Sequence, residues 1–311
     1  MPVASNLSNC FVELNGFLVL DKPEGRSSAF IVNRCKKILG AGRAGHLGTL
    51  DPFATGLLIL AINAGTKIIP YVSVKQKCYE FEIKFGEKTD TGDKTGKVVA
   101  ASYTIPKYSE VEAVLPLFLG EIQQKPHPFS AIKINGRRAY QIARNGLDPN
   151  IESRPVTVFD LHIVSQMDDN IFRLEATVSP GTYVRSLSED IAASLQTVGH
   201  VVSLRRVRDG KFCIDDAVTI DRLEEKKENV GDVLVPLEDV LDDIPVYFAS
   251  DREASELAFG RSVICGTDVG SRDGICLVSS EGGELWIADV KTDRVLAPRR
   301  LLVCARYAKG R

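Results

Sequence analysis

Residues 77–86, KCYEFEIKFG, set the strongest constraint on the fold. Tyr79, Phe81, Ile83 and Phe85 recur at every second position. A period of two puts them on one face of a β-strand, and a strand of this kind needs a covered sheet face. GFLVLDKPEGRSS (16–28) reads as a short strand, a Lys-Pro turn and a helix start, and further strands are expected in RPVTVFDLHIVSQ (154–166) and in NIFRLEATVSPGTYVRSL (170–187). Between them lie helical patterns. Ser27 or Ser28 can cap a helix that carries Phe30, Ile31, Cys35, Ile38 and Leu39 and stops at Gly40. SEVEAVLPLFLG (109–120) reads as a helix interrupted by Pro116, RRAYQIARNG (137–146) as a short helix ended by Gly146, and RSLSEDIAASL (185–195) as a helix with acids near its first turns. ATGLLILAINAGTKII mixes strand and helix signals, which period alone does not settle. Strands and helices mixed in this way give an α+β domain.

The 311 residues suffice for one large domain and a small one. Three regions are expected: an N-terminal extension (1–15), a catalytic domain (16–244) and a β-rich module (245–311). In the last, short strands alternate with Gly and Asp, as in a small all-β unit. The longest apolar run, Gly56 to Ile62, is far below the roughly 20 residues of a spanning helix. No signal or transit peptide is read at the N-terminus. The seven cysteines are scattered without CxxC spacing and read as reduced thiols, which places the protein in the cytoplasm. The net charge is −2, but residues 221–243 hold nine acids against three bases, so the remainder carries about +4. That acidic stretch is expected to form a linker with a short surface helix. Basic runs stand at RRVRDGK (205–211) and PRR (298–300), each of which alone is compatible with a solvated face.

GxxxxGK[ST], HExxH and GxSxG are all missing, and the four histidines His46, His127, His162 and His200 are isolated. No metal site is expected, and His162 reads as structural. Attention falls on GHLGTLDPFATGLLIL (45–60), where Asp51 stands between a glycine-rich loop and an apolar run. Asp51 either caps a segment starting at Pro52 or performs chemistry. His46 and Arg43 share its loop. Tyr79 starts a strand, and Tyr183 with Arg185 marks a strand-to-helix junction. An acid, aromatics and an arginine at element ends are parts that a base-handling site would use.

Seven stretches in order, LDKPEGRSS (20–28), GRAGHLGTLDPFATGLL (42–58), KCYEFEIKFGEKTDTGDKTG (77–96), PHPFSAIKINGRRAYQIARNG (126–146), SPGTYVRSLSEDI (179–191), GHVVSLRRVRDGKF (199–212) and VLAPRRLL (295–302), closely resemble the bacterial tRNA pseudouridine-55 synthases, the TruB family. The resemblance implies the pseudouridine-synthase fold, a mixed sheet flanked by helices, with a PUA-like RNA-binding module at the C-terminus. It implies isomerisation of a T-loop uridine of tRNA, with no cofactor. It makes Asp51 the catalytic aspartate and Arg185 its partner. Tyr79 would stack on the uracil, Tyr183 would contact the substrate and Leu204 would line the uracil pocket. His46 would help move the base out of the T-loop, and Lys22 with Pro23 would support the site floor. Arg205, Arg206, Arg208, Arg299 and Arg300 are expected to contact the RNA backbone. The partner implied is the T-arm stem-loop of tRNA, bound by a monomer that needs no protein partner and no membrane. The chain departs from the family's wording at Leu47, Cys78, His127 and Phe129, and its tail is short for a PUA domain. Two other functions remain open at this level: a tRNA-folding chaperone with secondary catalysis, and a guide-RNA-dependent pseudouridylase.

Overall fold

A computed structural model describes residues 14–73, 75–225, 230–241, 243–266, 268–292 and 294–303 of the chain. The first half runs β1 (Gly16–Lys22), α1 (Ser28–Ile38), β2 (Ala44–Leu47), β3 (Thr55–Ile62), α2 (Gly65–Ile68) and β4 (Lys77–Phe85). A hairpin of β5 (Glu87–Thr89) and β6 (Val98–Ala101) follows, then α3 (Tyr108–Val114), β7 (Gly120–Gln124), a small hairpin of β8 (Lys133–Ile134) and β9 (Arg137–Arg138), and α4 (Ala139–Arg144). Next come β10 (Arg154–Asp168), β11 (Ile171–Val178), α5 (Val184–Ser194), β12 (Gly199–Asp209), β13 (Phe212–Cys213), α6 (Ile220–Glu225), β14 (Leu234–Val235) and α7 (Leu237–Val240). The C-terminal module holds β15 (Val246–Ala249), α8 (Asp251–Ala258), β16 (Val263–Ile264), β17 (Ile275–Ser280), β18 (Leu285–Thr292) and β19 (Val295–Val303).

The main sheet has the order β14-β1-β3-β12-β4-β11-β10-β7, with β2 paired to β3 and β13 to β12. Among the described residues only the β3–β12 pair of this sheet is parallel, so the sheet is mixed. Tyr79, Phe81, Ile83 and Phe85 of β4 are buried together on one face, as their alternation requires. β3 is different, because both of its faces are covered. Leu58, Leu60 and Ile62 join the helix-side core, whereas Leu57, Ile59 and Ala61 join a second core on the back of the sheet. A strand buried on both sides reads as a continuous apolar run, which is why its period was silent.

Several expectations change at this level. The loop after Gly40 contains β2, and the strand that starts at Ile171 ends at Val178. Pro116 does not break α3 from within. It lies in a 3-10 turn, Leu115–Phe118, that follows the helix. The acidic stretch is more than a surface linker. It supplies edge strand β14 beside β1 and buries Leu223, Leu237, Val240 and Leu241; its residues 226–229 and 242 lie outside those described.

The C-terminal module is a five-stranded sheet, β15-β17-β18-β19-β16, but not an all-β unit. Helix α8 packs on it, started by a capping box in which Ser250 and Glu253 satisfy each other's backbone amides. The other face, with Leu277, Leu285, Ile287 and Leu302, closes the core behind β1 and β3. Of the cysteines, Cys35, Cys78, Cys213, Cys265 and Cys276 are free thiols, and Cys10 and Cys304 lie outside the described residues. Most of the N-terminal extension is outside them too. Its last residues, Leu14 and Asn15, hydrogen-bond Asn63 and Ala64 at the end of β3.

Candidate active site

Asp51 sits in a loop clamped on both sides. Ahead of it, the Ser28 hydroxyl accepts from the Leu50 amide and donates to the Leu50 carbonyl, both at 2.9 Å. Behind it, the Pro52 carbonyl accepts from the Gly25 amide at 2.8 Å and from Lys22 Nζ at 3.2 Å. Lys22 is fully buried and also donates to the carbonyls of Pro23 and Arg26. Burial lowers it to about 8, with Asp51 opposing, so it still carries its proton at neutral pH. Ser27, not Ser28, caps α1, which leaves Ser28 free for this loop. The Lys-Pro turn and the start of α1 therefore hold Asp51 in place. No helix follows Pro52, since β3 is the next element, so the capping role for Asp51 has no helix to serve.

The Asp51 carboxylate meets Arg185 Nη2 at 2.8 Å. Arg185 is the second residue of α5 and only 3% exposed. Its guanidinium also donates to the Thr91 carbonyl at 2.9 Å and the Phe129 carbonyl at 3.0 Å, and lies 3.6 Å from the Asp93 carboxylate. Asp93 is itself fixed by the Thr91 hydroxyl and by the amide and hydroxyl of Thr95. Burial pushes the Asp51 carboxyl above the usual carboxylate range, while Arg185 pulls it back and Asp93 adds to the rise. The start of α5 is positioned by Gln124, whose side chain accepts from the Tyr183 amide at 2.7 Å and donates to the Tyr183 carbonyl at 3.1 Å.

A cleft of about 390 Å³ opens over this pair. Tyr79, Leu204, Tyr183, Arg185 and Asp51 all line it, together with Gly48, Lys77 and Arg206. Leu204 and Tyr79 come from adjacent strands, β12 and β4, in which Arg206 is the register partner of Tyr79. Tyr79 is buried, which raises its pKa, while the nearby Arg206 guanidinium works in the opposite direction. The Tyr183 ring is half-buried, with the Arg154 guanidinium 5.5 Å from its centroid.

The remaining expected residues divide. His46 lies on β2 opposite Leu60, outside the cleft lining, where burial and Arg206 lower its pKa. Arg206 does not fit an RNA-backbone contact: it is 1% exposed, donates to the Leu57 carbonyl at 2.7 Å and pairs with Asp209. Arg205 is half-buried and held by both oxygens of Asp21 at 3.0 and 2.7 Å. Arg208, Arg299 and Arg300 are exposed; Arg299 pairs with Asp289, and Arg300 donates to the Lys67 carbonyl. Pro23 is exposed beside buried Lys22. His162 is exposed too, 3.0 Å from Asp160. With Asp160 and Glu175 it makes a group of ligand-type atoms, none of which lines the cleft.

Ser28, Asp93, Gln124 and His127 were missed by sequence reasoning. Asp93 carried a local signal, an aspartate two residues before a threonine in a polar turn. The others act on partners 22 to 59 residues away and leave no local trace. His127 is buried beside Arg185 and falls to about 3, chiefly through burial, with Arg185 and Lys88 adding to it, so it is neutral.

Two family models match in tandem. That of the TruB family pseudouridylate synthase N-terminal domain covers residues 36–184, and that of the tRNA pseudouridylate synthase B C-terminal domain covers 185–242. The chain is 44% identical to tRNA pseudouridine synthase B of Gluconacetobacter diazotrophicus over 255 residues, 80% of this chain and 83% of that one. It is 38% identical to the protein of the same name from Bradyrhizobium diazoefficiens over 295 residues, 92% and 86% of the two chains. Among solved structures, one of a Cbf5-Nop10-Gar1 complex superposes with a TM-score of 0.68 at 21% identity, covering 94% of this chain and 87% of that one, a likeness of fold. With its mixed sheet, flanking helices and C-terminal β-rich module, the chain has the pseudouridine-synthase fold and belongs to the TruB family of pseudouridylate synthases.

Proposed function

We propose that this protein converts the uridine at position 55 in the T-loop of tRNA to pseudouridine, with Asp51 as its catalytic carboxylate. The observation that carries the reading is the Asp51–Arg185 pair at 2.8 Å in the floor of a cleft also lined by Tyr79 and Leu204. The C1′–N1 bond breaks, the uracil turns, and C5 joins C1′ with loss of the C5 proton. Arg185 favours the ionised carboxylate against its burial, as a nucleophile or base requires. Tyr79 and Leu204 hold the base between them, and Tyr183 contacts the nucleotide at the rim. The cleft has the volume for one nucleoside, so the target leaves the T-loop stack to reach Asp51. His46 takes part in that extrusion from β2, two residues before Gly48.

Arg208, Arg299 and Arg300, all exposed, serve the RNA backbone, and the module after Pro245 acts as a PUA-like RNA-binding unit. The enzyme works as a monomer in the cytoplasm, without cofactor or protein partner. Among the described residues no helix is long and apolar enough to cross a membrane.

The test is tritium release from a T-arm stem-loop containing [5-³H]uridine, with nothing else added. Wild-type protein is expected to release label from this RNA and none from the same stem-loop with cytidine at position 55. Binding without release, or release that survives the cytidine replacement, contradicts the reading.

A further inference from the structure

Three charged side chains under the cleft have no part in the chemistry described so far. Lys77 begins β4 two residues before Tyr79, and Arg206 and Asp209 lie on β12. Their side chains are 11%, 1% and 0% exposed. Lys77 Nζ is 2.5 Å from Asp209 Oδ2, and Arg206 Nη1 is 3.3 Å from the same oxygen. The other Asp209 oxygen accepts no hydrogen bond. Two cations thus share one carboxylate oxygen, and the cluster keeps an excess positive charge in a buried place. A structural bridge needs only one cation per carboxylate, and burying an extra one is unfavourable. Burial and Arg206 both lower the Lys77 pKa, and only Asp209 opposes them. The cluster is short of one anion.

The cleft side is left open by Gly48. A Cβ there would lie 2.9 Å from Lys77 Nζ and 3.1 Å from Arg206 Nη1, and its φ of +68° suits glycine. Lys77 and Arg206 both line the cleft beside Tyr79, and Arg206 is the register partner of Tyr79 across β12 and β4.

The reaction supplies the missing anion. When C1′–N1 breaks, the bonding pair stays with N1, and the base becomes a uracil anion with charge spread over the ring nitrogens and O2 and O4. C1′ is satisfied by a bond to the Asp51 carboxylate or by loss of the C2′ proton to it; the base is the same anion in both routes. C5 then attacks C1′ with an electron pair of the anion, expelling the carboxylate or with return of the C2′ proton. The C5 proton leaves to solvent and N1 takes one up.

We propose that Lys77 and Arg206, tied together by Asp209, are an electrostatic floor that stabilises this uracil anion. They act through the field in the cleft, in a site where solvent screening is weak. The proposal rests on the pseudouridine-forming reading above.

The experiment compares wild type, Lys77→Met and Lys77→Met/Asp209→Asn under single turnover with saturating RNA. T-arm stem-loops carry uridine or 5-fluorouridine at the target, and consumption of that nucleotide is followed by digestion and chromatography. Lys77→Met leaves Arg206 and Asp209 as a balanced pair, so the rate on uridine should fall about 100-fold with RNA binding unchanged. Fluorine at C5 stabilises the base anion by itself, so the loss should shrink on the fluorinated RNA. The double variant restores the net charge and should recover much of the rate. Equal losses on both RNAs, or a double variant slower than the single one, would overturn the proposal. If Lys77→Met does not fold, Lys77→Gln must show the same dependence on the base. Wild type that fails on uridine RNA would sink the functional reading itself, whereas active wild type with an indifferent Lys77 sinks only the floor.

Discussion

A guanidinium that is 3% exposed has to satisfy its donors inside the protein, and Arg185 does so with two backbone carbonyls and two carboxylates. The fork geometry is what lets one side chain reach Asp51, Thr91 and Phe129 together. A lysine keeps the charge but not the fork. Arg185→Lys is therefore expected to lower single-turnover rate by about 100-fold while tRNA binding stays close to wild type. The raised Asp51 pKa has two consequences with definite signs. In the proposed role Asp51 acts as the ionised carboxylate, so the acid limb of the pH–rate profile should lie above the range of an ordinary aspartate. A carboxyl whose folded pKa is raised contributes stability at low pH and loses it as pH rises through the folded value. Asp51→Asn, which cannot ionise, should consequently melt no lower than wild type at pH 7 by calorimetry. Asp51 itself was conspicuous in the sequence because a lone carboxylate stood between glycines and a core run. Asp93 was not, because nothing local tells a turn-forming aspartate from one that also faces a distant arginine.

At the scale of elements, the site is made by joints between strands and loops. Ser28 spends both functions of its hydroxyl on Leu50, inside the protein. Ser28→Ala leaves that amide and carbonyl without partners and should destabilise by about 2 kcal/mol, with a matching fall in turnover as the Asp51 loop loosens. Urea unfolding and a rate measurement on the same sample check this. The β3–β12 joint is tighter still. Gly56 has φ +95°, and a Cβ on it would lie 2.3 Å from the Arg206 carbonyl oxygen. Gly56→Ala should cost about 3 kcal/mol or more, because it combines a backbone clash with a left-handed conformation. The strand β4 was legible since one face is buried and the other is not. Its neighbour β3 was illegible by period because two cores claim it, and β2 because a four-residue strand between glycines reads as a loop.

The whole molecule is held by a core that the composition change at Pro245 conceals. Turn-rich spacing marked a separate module, and the second sheet is indeed there. What spacing could not convey is that Leu277, Leu285, Ile287 and Leu302 pack with Phe17, Val19, Leu57 and Ile59 in one apolar cluster. A chain cut after residue 244 would expose the back of the main sheet, so it should be insoluble or melt far below the full chain. Ile287→Ala should destabilise by about 2–5 kcal/mol and lower the melting of the entire chain in one transition. Two separate transitions, with only the second sheet affected, would show the modules to be independent.

The proposed function depends on Asp51 as the group that performs the chemistry, with Arg185 keeping it ionised. The most direct test is tritium release from the T-arm stem-loop with wild type and Asp51→Ala side by side, with RNA affinity measured on the same preparations. Release by wild type, none by the variant, and equal binding by both are expected. Release by Asp51→Ala, or parallel loss of binding and turnover, would contradict that role and make Asp51 a structural residue of its loop.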